Sequence, residues 1–134
     1  MGEVVKNKLF DGIYAGEKVL VTGNTGFKGS WLTVWLLRLG AKVYGLSKDI
    51  PTQPSLFESL ALRERITHYE ADVRDAAAVK KVIEEVRPTF IFHLAAQPIV
   101  SYSYENPLET LATNVLGTAN ILEALRVLNF PCTA

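Results

Sequence analysis

Short apolar runs alternate with helical apolar repeats along this chain, and the alternation predicts its secondary structure. Buried parallel strands appear in a sequence as continuous apolar runs, whereas amphipathic helices repeat apolar residues every three to four positions. These patterns predict strands at Lys18–Thr22, Ala41–Leu46, Ile66–Glu70 and Thr89–His93, and helices at Phe27–Leu39, Leu56–Arg63, Ala76–Val86 and Leu108–Leu128. Strand and helix therefore alternate four times.

Polar and turn-forming residues support these boundaries. Ser55 and Asp75 stand directly before predicted helices, where a side-chain oxygen accepts a hydrogen bond from the first N–H groups. Gly40 follows the first helix, in the position that favours a left-handed backbone. Residues 47–55 and 95–107 show no periodicity and are predicted as loops. Residues 1–17 are predicted as a leader, and residues 18–134 as one domain.

Repeated alternation of this kind predicts an α/β fold. Each helix carries the chain from one parallel strand to the next by a right-handed crossover, so helices cover both faces of the sheet. We expect a Rossmann-like, doubly wound sheet with strand order 3-2-1-4. In such a sheet the ligand lies at the carboxyl ends of strands 1 and 4, where the order reverses.

A glycine motif joins the first strand to the first helix. Gly23, Gly26 and Gly29 have the spacing G-x-x-G-x-x-G. The first glycine permits a tight turn, the second lets the backbone approach an anion, and the third allows close packing of helix on strand. The helix N-terminus then offers free N–H groups to a phosphate. A bare glycine triplet also fits an ordinary loop, but the flanking strand and helix favour a dinucleotide site.

Small or polar residues also follow the third and fourth predicted strands. Residues 71–75 read Ala-Asp-Val-Arg-Asp, and residues 94–97 read Leu-Ala-Ala-Gln. The carboxyl ends of parallel strands share one edge of the sheet, so these segments are expected beside the glycine motif. The small side chains of Ala95 and Ala96 would let the backbone approach a flat or anionic ligand.

The composition of the chain limits the kinds of partner that it can bind. Fourteen basic residues balance fourteen acidic ones, so no overall field attracts nucleic acid or an anionic membrane. The single cysteine, Cys132, rules out a disulfide within the chain, and no metal site is predicted. The longest apolar run, near residues 31–39, contains Arg38 and is too short to span a bilayer. A cytoplasmic protein is expected.

Four segments together resemble the extended short-chain dehydrogenase/reductase family, which contains nucleotide-sugar epimerases and dehydratases. They are the glycine motif from Val21, the Asp72–Asp75 segment, His93-Leu94-Ala95-Ala96, and Thr113-Asn114-Val115-x-Gly117-Thr118-x-Asn120. Lys28 within the motif, the Pro51–Glu58 segment and Ala95-Ala96-Gln97-Pro98 are most similar to the CDP-glucose 4,6-dehydratase branch. The resemblance implies the N-terminal part of a longer fold, without strand 5 or the substrate-binding region.

The resemblance also implies how a cofactor would bind. The backbone of Phe27 and Lys28 would contact the pyrophosphate, Asp72 and Val73 the adenine, and Ser47 a ribose hydroxyl. NAD is expected rather than NADP, although Lys48 offers an alternative contact for a 2′-phosphate. The full predicted cofactor-binding set is Gly23, Thr25, Gly26, Phe27, Lys28, Gly29, Ser47, Asp72, Val73, Leu94, Ala95, Ala96, Gln97 and Thr113.

No catalytic residue is predicted in this chain. By resemblance, the catalytic Tyr-x-x-x-Lys pair and its Ser or Thr partner would follow Ala134, so this chain alone is expected not to turn over substrate. Two such strings occur, Tyr14–Lys18 and Tyr44–Lys48. Both are interpreted as chance, because a strand spreads four residues over about 13 Å, whereas a helix brings positions i and i+4 together.

Several side chains have two interpretations. Trp31 and Trp35 are predicted to pack in the core, His93 to be structural, and Asn114 to stabilise its own helix. Tyr102 and Tyr104 would either face a substrate or cap the next helix, and Lys28 would either contact an anion or be solvated.

Three functions fit the sequence. The first is the NAD-binding part of a nucleotide-sugar 4,6-dehydratase, with an epimerase as the alternative reaction. The second is a dinucleotide-binding module without chemistry. The third is a structural fragment that associates through the bare edge of the fourth strand and the last helix. Helix Leu108–Leu128 carries more apolar residues than one core face needs, and the family implies a homodimer through it.

Overall fold

A computed structural model describes residues 9–134 of the chain. Its strands are β1 (Lys18–Thr22), β2 (Lys42–Ser47), β3 (Thr67–Glu70) and β4 (Phe90–His93). Its helices are α1 (Phe27–Arg38), α2 (Leu56–Ser59), α3 (Ala76–Val86), α4 (Val100–Glu105), α5 (Pro107–Leu111) and α6 (Gly117–Leu128). A π-helical segment, Ala112–Leu116, joins α5 to α6. Short 3-10 turns occupy Leu9–Gly12 and Leu62–Glu64.

The four strands form one parallel sheet in the order β3-β2-β1-β4. This confirms the predicted doubly wound, Rossmann-like arrangement. Alternate residues of β1 face opposite sides of the sheet: Val19 and Val21 pack with Leu36 of α1, while Leu20 packs with the apolar sides of α3 and α6. Helices therefore cover both faces, as the alternating pattern predicts.

Two predicted elements differ in the structure. Residues 95–107, predicted as a loop, contain α4 and the start of α5 at Pro107. None of the α4 side chains is buried, so the helix has no apolar stripe by which the sequence could reveal it. The predicted helix Leu56–Arg63 ends early as α2, because Ala61 takes a left-handed conformation with φ of 47°.

Trp31 and Trp35 correct a further prediction. They were expected in the core, yet about half of each side chain is exposed, 54% and 50% respectively. Helix α1 instead buries Gly29, Ser30, Thr33 and Leu36.

The free edge of β4 is partly covered. Thr133 forms a parallel bridge with Phe90, and its carbonyl accepts a hydrogen bond of 2.8 Å from the Ile91 N–H. The predicted bare edge is therefore wrong at this position.

The segment before β1 contributes to packing. The Tyr14 ring stacks at a tilt on Phe90 and Phe92 of β4, with centroid distances of 5.0 and 6.2 Å. Residues 1–8 of the predicted leader lie outside the described residues. Within residues 9–134, every helix is too short or too polar to cross a bilayer.

Candidate functional site

A cleft of about 720 Å³ lies at the carboxyl ends of the four strands. Thirteen of the fourteen predicted cofactor residues border it, and Gln97 is the exception. Five further residues border it that the predicted set lacks. The lining is Gly23, Thr25, Gly26, Phe27, Lys28, Gly29, Ser47, Lys48, Asp49, Pro51, Ala71, Asp72, Val73, Leu94, Ala95, Ala96, Pro98 and Thr113.

The three glycines of the motif have different surroundings. Gly23 has φ of +70°, and a Cβ built there would lie 2.8 Å from the backbone nitrogen of Ala95. A Cβ at Gly29 would lie 2.1 Å from the Gly23 carbonyl oxygen, so α1 packs directly on the loop. Gly26 has room, since its Cβ would meet only the Gly23 oxygen at 3.5 Å. The first glycine thus makes the turn and the third permits the packing.

The N-terminus of α1 points to an anion site. Gly26 is its N-cap residue, and no side chain caps the helix. The first N–H groups of a helix have no intrahelical partner and carry partial positive charge. Phe27 and Lys28, which begin α1, border the cleft. The helix therefore presents hydrogen-bond donors where a phosphate would lie.

Asn24 holds the glycine motif against the sheet. The sequence alone did not predict this role. Its side chain is fully buried against Gly45 of β2, where an added Cβ would lie 2.2 Å from Asn24 Nδ2. Asn24 Nδ2 donates to His68 Nδ1 at 3.1 Å, and Ser47 Oγ donates to Asn24 Oδ1 at 2.8 Å. A glycine inside a strand often marks such a close approach, so Gly45 was the signal that could have found it.

Ser47, predicted to contact a ribose hydroxyl, lies at the end of β2. Its side chain borders the cleft, but its hydroxyl donates to Asn24 and accepts the Thr25 N–H at 3.4 Å. Thr25 also donates through Oγ1 to the Asp49 carbonyl at 2.6 Å. These bonds hold the residues after β2 against the glycine loop. Lys48 and Asp49 border the same end of the cleft.

An arginine holds the carboxylate of Asp72. Arg74 donates through Nη2 to Oδ2 at 2.6 Å and through its backbone N–H to Oδ1 at 2.9 Å. Hydrogen bonding from Arg74 lowers the pKa of Asp72, which therefore stays ionised. Arg74 also lies 3.9 Å from Glu109, which accepts the hydroxyl of Tyr102 at 2.7 Å. The Tyr102 hydroxyl is thus bonded to Glu109 of α5. A contact between Tyr102 and a substrate stays a prediction.

His93 connects β1 to the residues after β4. Thr118 Oγ1 donates to the Asn114 carbonyl at 2.7 Å, so it accepts from His93 Nε2 at 3.1 Å. His93 Nδ1 then accepts from Thr22 Oγ1 at 2.7 Å, and Thr22 Oγ1 accepts the Ala95 N–H at 3.1 Å. Burial lowers the pKa of His93. These bonds support the predicted structural role of the imidazole.

Gln97 and Asn114 fasten the residues after β4 to the π-helical segment. The Gln97 N–H donates to Asn114 Oδ1 at 2.8 Å, and Asn114 Nδ2 donates to the Gln97 carbonyl at 3.1 Å. Asn114 was predicted to stabilise its own helix, and that prediction is wrong, because it bonds a distant loop. Its neighbour Thr113 borders the cleft. Single π turns inside α-helices are frequent at functional sites.

Neither Tyr-x-x-x-Lys string has the geometry of a catalytic pair. Tyr44 lies within β2, and Tyr14 precedes β1, so neither string is helical. Within residues 9–134, no group of three or more His, Cys, Asp or Glu side chains could hold a metal ion.

Comparison with known proteins identifies relatives of this chain. A family model described as GDP-mannose 4,6 dehydratase matches residues 20–133. CDP-glucose 4,6-dehydratase of Salmonella typhimurium is 48% identical over 113 residues, which cover 84% of this chain and 32% of that protein. UDP-glucuronate 4-epimerase 3 of Arabidopsis thaliana is 39% identical over 118 residues, covering 85% and 27%.

A solved structure supports the same relationship. The UDP-glucose 4-epimerase of Thermus thermophilus in complex with NAD has a TM-score of 0.74 and 35% identity, covering 83% of this chain and 34% of that one. The chain spans about a third or less of the length of these relatives. Because the family model covers most of it, the chain belongs to the GDP-mannose 4,6-dehydratase family of nucleotide-sugar dehydratases and epimerases, within the extended short-chain dehydrogenases/reductases.

Proposed function

We propose that this chain is the NAD-binding part of a nucleotide-sugar 4,6-dehydratase. The observation that carries the proposal is the cleft at the carboxyl ends of the strands, where the glycine motif, the Asp72–Val73 pair and Thr113 meet. A dinucleotide binds at this point of a doubly wound sheet. The similarity to a solved epimerase in complex with NAD supports the same cofactor.

In this proposal the pyrophosphate lies on the N-terminus of α1, beside Gly26. The adenine lies against Asp72 and Val73, and the small side chains of Ala95 and Ala96 face the middle of the cofactor. Arg74 keeps the Asp72 carboxylate ionised and fixed, so it accepts hydrogen bonds without rearranging. The bound NAD would supply reversible hydride transfer at the sugar.

The identity of 48% with a CDP-glucose 4,6-dehydratase favours conversion of CDP-glucose to CDP-4-keto-6-deoxyglucose by the whole enzyme. The alternative is a nucleotide-sugar epimerase, favoured by the 39% identity with a UDP-glucuronate 4-epimerase. A binding module without chemistry is the remaining candidate. A cytoplasmic location and a homodimer through residues 108–128 stay predictions, the latter supported by the exposed side chains of Leu108, Leu111, Val115 and Leu122.

Calorimetric titration of NAD⁺ into the 134-residue chain tests the cofactor proposal. We expect saturable binding at one site per chain. Ala96 is exposed and borders the cleft, so Ala96→Trp should fill the site and remove binding without unfolding the chain. Ala77→Trp, at an exposed position of α3, is the matched control. Failure of the unmodified chain to bind NAD⁺ while it remains folded would contradict the proposal.

Segment exchange separates the two reactions. Residues 20–133 replace the matching segment of the Salmonella CDP-glucose 4,6-dehydratase in one chimera and of the Arabidopsis UDP-glucuronate 4-epimerase 3 in another. The proposal predicts that the dehydratase chimera retains the larger fraction of its parent's activity. The reverse ranking favours the epimerase.

A further inference from the structure

The last part of the Thr113–Asn120 motif lies on α6, outside the lining of the cleft. Gly117 and Asn120 are in the first turn of this helix, and neither borders the cleft. Both contact Val73, in the segment after β3 where the proposed function places the adenine. The helix therefore touches the adenine end of the cleft from behind.

Asn120 and Gly117 hold the same residue by two different contacts. Asn120 Nδ2 donates to the Val73 carbonyl at 2.8 Å, between residues 47 positions apart in the sequence. An added Cβ at Gly117 would lie 2.7 Å from Val73 Cγ2, so the helix also packs directly on the side chain. Val73 is only 4% exposed, and valine has little rotamer freedom. Its carbonyl and its side chain are thus both fixed against α6.

The peptide unit between Val73 and Arg74 carries this constraint to the Asp72 carboxylate. A peptide unit is planar, so its carbonyl and its N–H turn together. The carbonyl is held by Asn120, while the N–H belongs to Arg74 and donates to Asp72 Oδ1 at 2.9 Å. If the carbonyl is released, the plane can turn and the N–H can leave the carboxylate. Asn120 therefore acts on Asp72 through one peptide unit.

The side chain of Arg74 cannot replace the bond from Asn120. Its Nη2 donates to Asp72 Oδ2 at 2.6 Å, but the two residues are two positions apart and move together with their turn. The Ala71 N–H ties the segment to β2, since it donates to the Ser47 carbonyl at 3.1 Å. Asn120 supplies the corresponding tie on the side of α6.

We propose that Asn120 is a positioning residue for adenine recognition, because it sets the orientation of the Asp72 carboxylate through the Val73–Arg74 peptide. The inference rests on the proposed function, since it requires the adenine of a dinucleotide beside Asp72. An ionised carboxylate only accepts hydrogen bonds, and the 6-amino group of adenine is a donor. Hypoxanthine has a carbonyl oxygen at that position. A correctly placed carboxylate should therefore favour adenine over hypoxanthine.

Titration of the 134-residue chain with NAD⁺ and with nicotinamide hypoxanthine dinucleotide measures this preference. We expect the unmodified chain to bind NAD⁺ about tenfold more tightly, the range of one hydrogen bond to a charged group. Asn120→Leu removes the donor and introduces a good helix former. It should lower NAD⁺ affinity about fivefold and leave the affinity for the analogue nearly unchanged, so that the ratio falls to about two. Asn120→Gln retains an amide and should recover part of the ratio.

Lys18→Met is the matched control. Lys18 Nζ donates to the Val86 carbonyl at 3.1 Å, a side-chain-to-backbone bond that joins the start of β1 to the end of α3. Its loss should lower the stability in urea and leave the affinity ratio unchanged. Gly117→Ala is a second test that keeps the Asn120 donor. Its methyl presses on Val73 and should lower the ratio as well, so this variant tests the contact even where Asn120→Leu does not fold.

Equal weakening of both dinucleotides in Asn120→Leu would overturn the inference, because Asn120 would then serve only the stability of the fold. Equal affinity of the unmodified chain for both dinucleotides also overturns it, while the proposed function stands. A folded chain that binds neither dinucleotide overturns the proposed function itself.

Discussion

Replacing Gly29 by alanine tests how closely α1 packs on the glycine loop. Alanine is favoured over glycine inside a helix by about 1 kcal/mol. The added methyl, however, would lie 2.1 Å from the Gly23 carbonyl oxygen and 2.8 Å from the Asn24 Cα. Both neighbours are backbone atoms, so no side-chain rotation relieves the overlap. Overpacking costs about 1–3 kcal/mol or more, and at this separation we take the upper end. The net expected loss of stability is about 2 kcal/mol.

Gly26→Ala is the matched variant, since it adds the same methyl three residues earlier. Its φ of −73° suits alanine, and the methyl would meet only the Gly23 oxygen at 3.5 Å, an ordinary contact. We expect its unfolding free energy to stay within about 0.5 kcal/mol of the unmodified chain. Its methyl would nevertheless occupy the proposed pyrophosphate position, so NAD⁺ affinity should fall.

Urea unfolding followed by far-ultraviolet circular dichroism measures both stabilities, and calorimetry measures NAD⁺ binding. The expected pattern is loss of stability and binding in Gly29→Ala, and loss of binding alone in Gly26→Ala. If Gly29→Ala is as stable as the unmodified chain, the helix does not lie this close to the loop. If Gly26→Ala loses more than about 1 kcal/mol, the open space assigned to that position is wrong.

Three further changes probe the surroundings of the site. Gly45→Ala should destabilise the chain by about 2 kcal/mol, because its methyl displaces the buried Asn24 amide. In urea unfolding, a chain that carries both Gly45→Ala and Asn24→Ala should recover part of the lost stability. Burial lowers the pKa values of His68 and His93 in the folded state. As the pH falls, the histidines of the unfolded chain are therefore protonated before those of the folded chain. The unfolding free energy should consequently decrease below about pH 6.5. Replacing both histidines by glutamine should flatten that slope above about pH 5, where carboxylates contribute little, and an unchanged slope would contradict the assignment. Ser55→Ala should cost about 1 kcal/mol in the same assay, since its hydroxyl caps α2, whereas Ser55→Thr, which keeps the hydroxyl that also donates to Glu58, should be more stable than Ser55→Ala.

The strands were predictable because the sheet is buried. A continuous apolar run such as the one within Lys18–Thr22 is typical of a strand covered on both faces, and parallel order follows from the helices between the strands. The cleft residues were predictable for the same reason, since a parallel sheet brings the ends of its strands to one edge. Helix α4 was not, because all its side chains are at least partly exposed and its sequence carries no periodicity.

Asn24 was unpredictable for a different reason. Its side chain contacts Gly45 and His68, which are neighbours only because of the register between β2 and β3. A sequence pattern shows which residues lie on a strand but not which residue of the next strand lies opposite. The consequence reaches the site, since the hydroxyl hydrogen of Ser47 is donated to Asn24 and not into the cleft.

The face that α1 buries shows how far an apolar pattern can mislead. The aromatic residues Trp31 and Trp35 form the more hydrophobic side, yet Ser30 and Thr33 pack against the sheet. Burying a hydroxyl is costly unless it is bonded. Here Ser30 Oγ donates to the Asn24 carbonyl at 3.1 Å and Thr33 Oγ1 to the Gly29 carbonyl at 2.7 Å, so both are satisfied.

Small side chains on the buried face also bring the helix close enough for Gly29 to touch the Gly23 carbonyl. With a tryptophan on that face, α1 would sit farther from β1, and its N-terminus would not reach the cleft at the present position. In the proposed binding mode, the requirement to place the first N–H groups beside the pyrophosphate therefore selects glycine, serine and threonine for the interior and leaves the aromatic rings outside. In α1, the geometry of the proposed anion site outweighs the hydrophobicity of the individual residues.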